Sequence, residues 1–328
     1  MNKKPIRFVL LLPLLFLCSC ATLPGRYPRV SELKAYAVAQ DKSPLIRFSP
    51  VFLIENPEEK YNRIGTPAAC ITEDGKEVVY VNDEIPTIYS EKRSFVTPRG
   101  SYTNLIYRIH FEKVPFGLIP FYLTKGDNVG LIVVVTLNSS MKPVLYATVH
   151  TCGCYLAFIP TSYMPEDAFP EGWEKVRQDI YGESLPAFVN YGDPPLRTIR
   201  FMVLLRDSTH RVMDAWLSSV DPFEKYNTAV ADMQPFRALE RLPLKNGGTT
   251  SLYETSGPRK GYVKGSHKPW ERLFISWWAG DWRVGEDKKL GEDKSDGTVF
   301  YTSLKPWARD KSDLRDFASF LVYWGWKL

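Results

Sequence analysis

The segment VLYATVHTCGCYLAF, residues 144–158, sets His150, Cys152 and Cys154 at alternate positions inside an apolar run. One imidazole and two thiols this close together could ligate a metal, exchange electrons or staple the chain. If residues 144–154 form an extended strand, all three side chains share a face with Tyr146 and Thr148. Alternate side chains then stand about 6.8 Å apart and residues four apart about 13 Å. Metal–ligand bonds of about 2.0–2.3 Å let two alternate residues converge on one ion, while His150 and Cys154 together strain that limit.

Further ligands would have to come from elsewhere, and His110 with Glu112 is the natural pair, on the polar face of another strand. Such a mixed imidazole–thiolate set suits zinc or cuprous copper. A Cys152–Cys154 disulfide needs Cα atoms about 4.4–6.8 Å apart, which a flat strand barely allows, although Gly153 could permit a bend. The small ring it closes would be easily reduced, as labile and catalytic disulfides are. The plainest expectation is structural: Cys70 pairs with Cys152 or Cys154, and the remaining thiol is a buried hydrophobe. The chain has no C-x-x-C pair, no H-E-x-x-H and no C-x-x-C-H, so no cofactor follows from a motif.

The elements that must position these residues are strands. YTNLIYRIHFEKV (102–114) alternates, with Leu105, Tyr107, Ile109 and Phe111 on one face and Asn104, Arg108, His110 and Glu112 on the other. GLIVVVTLN and VLYATVHTC flank SSMKP and predict a hairpin. From residue 166 the pattern mixes. Short helices are expected over 171–181 and 223–241, strands over 198–206, 272–284 and 297–301, and a last helix capped by Ser312 or Asp313. The fold class expected is α+β, with an antiparallel, β-rich region at 35–165 and a mixed α/β region at 166–328. The two regions could also form one continuous domain.

The first twenty residues, MNKKPIRFVLLLPLLFLCSC, join a basic start to a ten-residue apolar run, half of the roughly 20 residues a spanning helix needs. Their end, Leu17-Cys18-Ser19-Cys20, resembles the lipobox of bacterial lipoproteins. That resemblance implies residues 1–19 as a cleaved signal, diacylation of Cys20 and a further acyl (palmitate-type) chain on its amino group. Residues 20–34 then form the anchor and a short tether. Three acyl chains exceed the two signals that stable anchoring takes. The resemblance places the body in the bacterial cell envelope, facing the periplasm. Ala21, where an aspartate would favour inner-membrane retention, favours the outer membrane. Disulfides persist in that compartment. After processing only Cys70, Cys152 and Cys154 remain, an odd number.

Charge and motif narrow the partners. Losing Lys3, Lys4 and Arg7 with the signal takes the formal net charge from +5 to about +2, which gives no argument for nucleic acid. The membrane, through the lipid, is the expected partner, with an envelope glycan, lipid or protein as a further one. GPRKGYVKGSHKPWER (257–272) offers Arg259, Lys260, Lys264 and Lys268 as contacts for anionic headgroups but lacks Walker spacing. SSMK has the spacing of S-x-x-K but sits in the expected hairpin loop, and no G-x-S-x-G elbow occurs. No complete catalytic constellation is present. The reading that follows is a lipid-anchored binding or structural module, against a metal- or thiol-dependent enzyme or metal carrier using His110, His150, Cys152 and Cys154. Seven of the nine tryptophans fall between Trp270 and Trp326, where core packing, sugar stacking and membrane contact compete.

Overall fold

A computed structural model describes residues 27–118, 120–192, 199–244, 247–293 and 295–328. The expected signal segment, 1–19, and Cys20 lie outside the described residues. The fold is α+β and rich in strands, with a helix near its C-terminus. In chain order the first strands are β1 (Leu33–Ala37), β2 (Val51–Glu55), β3 (Thr66–Ile71), β4 (Glu77–Asn82), β5 (Thr87–Thr97), β6 (Gly100–Val114), β7 (Gly126–Leu137), β8 (Pro143–His150) and β9 (Ala157–Pro160). Then come β10 (Arg177–Ile180), β11 (Glu183–Pro186), β12 (Arg200–Leu205), β13 (Val212–Ser218), β14 (Asn227–Val230) and β15 (Asp232–Pro235). Helices α1 (Pro269–Ala279) and α2 (Phe317–Tyr323) follow, and single-turn helices stand at Pro44–Arg47 and Pro222–Lys225.

Two sheets carry the structure. One has six strands in the order β15-β5-β6-β7-β8-β9, and the other five in the order β13-β12-β2-β1-β14. Alternation along β6 dictates what each face meets. Leu105, Tyr107, Ile109 and Phe111 point into a core shared with Tyr36, Phe52, Ile54, Phe201, Val203 and Leu205 of the five-stranded sheet. The opposite face, through Ile106, Ile132, Val134, Leu145, Ala147 and Val149, packs on the C-terminal segment at Phe300, Phe317, Phe320, Leu321 and Trp326. The β7–β8 hairpin expected from the sequence is present, with Met141 of its SSMKP loop at positive φ. Strands from beyond residue 165 complete both sheets: β12 runs parallel to β2, β14 parallel to β1 and β15 parallel to β5. Among the described residues no helix is long and apolar enough to cross a membrane.

Several expected elements differ. Residues 272–284 were expected as a strand, but 269–279 form α1, entered at Pro269 and closed by left-handed Gly280. The helix expected over 223–241 is one turn at Pro222–Lys225, followed by β14, β15 and a 3-10 turn, because Pro235 cannot continue a helix. Strand β10 and a turn stand where 171–181 was expected to be helical, and 297–301 forms no strand. Helix α2 starts later than expected, with the Asp316 side chain accepting from the Ser319 amide at 3.2 Å.

Candidate functional site

Strand β8 ends at His150, and the chain then turns instead of continuing straight. The His150 amide donates to the Cys154 carbonyl at 3.0 Å, and the Gly153 amide donates to the His150 carbonyl at 2.8 Å. Gly153 has φ +91°, and a Cβ on it would stand 2.1 Å from the Tyr301 carbonyl oxygen, so both backbone and space require glycine. The turn brings Cys152 and Cys154 together as a disulfide with Cα atoms 5.6 Å apart. It also brings one His150 ring nitrogen and both Sγ atoms within 4.8 Å of one another. A flat strand would have kept His150 and Cys154 apart; the turn removes that obstacle.

The disulfide expectation is corrected accordingly. Cys70 is a free thiol on β3, opposite Val78, and pairs with neither Cys152 nor Cys154. The proposed ligand pair is also separated. His110 stands opposite Gly130 and His150 opposite Leu131 in adjoining rows, so the two imidazoles project from opposite faces of the six-stranded sheet. His110 is fully buried, accepts from Arg108 Nε at 3.1 Å and meets Tyr89 edge-on. Burial first, and then the Arg108 charge, hold its pKa well below the usual histidine value. Glu112 pairs with its neighbour Lys113 at 3.0 Å near the surface.

His150 lies in the core between the sheets. Its Nε2 faces the His210 carbonyl at 3.1 Å, and its ring meets Tyr155 edge-on. Burial, with His210 close by, lowers its pKa to about 3, so it is a neutral imidazole at physiological pH. The turn is sewn to the segment 286–288. Thr151 Oγ1 donates to Asp287, and the Lys288 ammonium donates to the Cys152 carbonyl at 2.7 Å and to the Glu286 carbonyl at 3.0 Å. Lys288 is fully buried over the Tyr301 ring, and burial lowers its pKa to about 8.

Both cysteines open onto a cavity of about 290 Å³ between the turn and α1, walled by Ile275, Trp278, Tyr301, Leu304 and Trp324. Glu271 also lines it. Its residue is 6% exposed, in the wall of the cavity. Burial pushes its pKa up to about 7, although Lys268 and Lys288 pull it back. Gly285 leaves room for this carboxyl, since a Cβ there would overlap Glu271 Oε2. Sequence reading missed Glu271 because a strand pattern scatters it. At helical spacing Glu271, Ile275 and Trp278 fall on one face, and an acid within an apolar stripe is the signal that would have found it.

The basic segment is mostly spent within the chain. Arg259 pairs with Glu286 and lies 3.8 Å from Glu254, and Lys264 pairs with Glu77. Buried Lys268 pairs with Asp287 at 3.4 Å, and Lys260 donates to the Ser295 carbonyl at 3.0 Å. Only Lys260 of the four expected anion contacts is exposed. The tryptophans divide: Trp326 is core, while Trp277 and Trp307 are 78% and 79% exposed. Compared with protein-family models, curated proteins and solved structures, the chain finds no match.

Proposed function

We propose that this chain is a lipid-anchored protein of the bacterial cell envelope, held through Cys20 with its body facing the periplasm. In this reading the body acts as a binding module for a small, largely apolar ligand. One observation carries it: Glu271, an acid on a largely buried residue, stands in the wall of an aromatic-lined cavity. A carboxyl set among apolar walls gives a ligand one directional contact, and such a hydrogen bond is worth about 1 kcal/mol net. A ligand with an apolar body and one hydrogen-bonding end would meet Glu271 and fill the space beside Trp278 and Trp324. Lys268, Lys288 and Asp287 nearby balance the charge, which favours a neutral ligand.

The test uses the full lipidated chain in detergent with two probes, p-cresol and toluene, read by calorimetry. One hydrogen bond is worth about 1 kcal/mol net, so p-cresol should bind roughly 5- to 10-fold more tightly. Glu271→Leu should abolish that preference while keeping toluene, and Leu304→Trp should exclude both. Equal affinity of wild type and Leu304→Trp for both probes would overturn the ligand reading. Intact mass of the membrane-extracted chain checks the anchor: an acylated Cys20 as the first residue is expected, and an unmodified chain starting at Met1 contradicts it.

A second reading has its own observation. Reduction would free two thiolates beside the His150 imidazole, a three-donor set for zinc or cuprous copper. Metal analysis after anaerobic reduction, with Cys154→Ser as comparison, decides it. One equivalent retained by the reduced wild type alone supports that reading.

A further inference from the structure

We propose that the Cys152–Cys154 disulfide is an exchanging one, which accepts two electrons from a peptide or protein dithiol presented at the cavity beside α1. The inference stands whether or not the cavity holds a resident ligand. Four observations point to it. Both cysteines line an open cavity, and Cys154 is only partly buried, so an incoming sulfur has a path. The bond is also redundant as a staple. It spans one intervening residue, and two backbone hydrogen bonds already close the same turn. A loop that short removes little entropy from the unfolded chain, so cross-linking it adds little stability. Thirdly, the fully buried Lys288 ammonium is bonded to the Cys152 carbonyl, placing a positive charge beside the residue that would carry the thiolate. Lastly, Cys70 sits on another sheet, so the pair must supply its own resolving thiol.

The reaction balances without a further reagent. A substrate thiolate attacks Cys154 Sγ, the S–S bond breaks, and Cys152 Sγ leaves with the electron pair as a thiolate, on the residue whose carbonyl Lys288 holds. The mixed disulfide then joins substrate to Cys154. The second substrate thiolate attacks the substrate sulfur of that bond and expels Cys154 as a thiolate. Substrate dithiol has become disulfide, the cysteine pair has gained two electrons, and the two substrate protons end on Cys152 and Cys154. A disulfide-bearing carrier protein running the same steps in reverse restores the oxidised pair. The apolar walls favour a substrate cysteine with an aromatic or aliphatic neighbour.

The experiment keeps the full lipidated chain in detergent and native buffer. Wild type is incubated with reduced glutathione or with a Cys-Phe-Cys peptide, acid-quenched, alkylated and weighed, while near-ultraviolet dichroism follows the fold. Two alkylations beyond that of the free Cys70 thiol are expected within minutes, with the fold intact. With oxidised glutathione as the reagent, Cys152→Ser, which leaves Cys154, should form the mixed disulfide at that thiol, releasing one reduced glutathione, about 10-fold faster than Cys154→Ser does at Cys152, since exchange rate follows access. Leu304→Trp should slow the peptide more than glutathione. A wild-type disulfide that resists both reagents until the protein is denatured would overturn the proposal, and that result needs no variant to fold. Loss of p-cresol binding with reduction unchanged would touch the ligand reading alone.

Discussion

At the scale of single residues, Glu271 writes its burial into the pH dependence of stability. Its pKa rises from 4.5 in a solvated chain to about 7 in the fold. Between those values the native state holds a proton that the unfolded state has released. Stability from this group is therefore full below pH 4.5 and is lost as pH rises through 7. The shift corresponds to about 3 kcal/mol. Its neighbour Lys288, lowered by burial to about 8, stays charged across most of that window. His150 and His210, each held neutral by burial down to about 3, act with the opposite sign. Their contribution is full above pH 6.5 and is lost as pH falls towards 3. The Glu271 effect is thus read as a difference: Glu271→Gln should gain on wild type as pH climbs from 4.5 to 8, by urea midpoints at each pH. Parallel curves for the two proteins would mean that the carboxyl is already solvated.

At the scale of elements, the turn after β8 depends on one residue. Gly153→Ala meets both a left-handed backbone and the Tyr301 carbonyl, so a loss of about 2–4 kcal/mol is expected in urea unfolding. The loss should persist after Cys152 and Cys154 are reduced, because the clash lies in the backbone. The same turn shows what the sequence could and could not convey. Alternation and a polar loop made the β7–β8 hairpin legible, since both signals are local. The bend at Gly153 was legible only as an allowance, because what forces it is the approach of Tyr301 from far along the chain. Helix α1 was misread because Phe274, Ile275, Trp277 and Trp278 favour strands, yet Pro269 and Gly280 marked its ends. The parallel pairings of β1 with β14, β2 with β12 and β5 with β15 leave no local trace at all.

At the scale of the whole molecule, those three pairings decide whether the halves on either side of residue 165 stand alone. Cut there, the five-stranded sheet keeps only β1 and β2 on one side, and two strands are marginal in water. Tyr36, Phe52 and Ile54 lose Phe201, Val203 and Leu205 from the shared core, at about 1.5–3 kcal/mol for each buried side chain. The C-terminal piece loses the sheet on which Phe317, Phe320 and Trp326 pack. The cavity divides along the same line, with Leu123, Thr124 and the Cys152–Leu156 stretch on one side and Glu271, Trp278, Tyr301 and Trp324 on the other. Neither 27–165 nor 166–328 should therefore show a cooperative urea transition by circular dichroism, and neither should bind p-cresol. The two expressed together should recover both properties if the long-range strand pairs drive assembly. A cooperative transition in 27–165 alone would instead mean that the five strands β5–β9 are self-sufficient and that the later strands are added to a finished core.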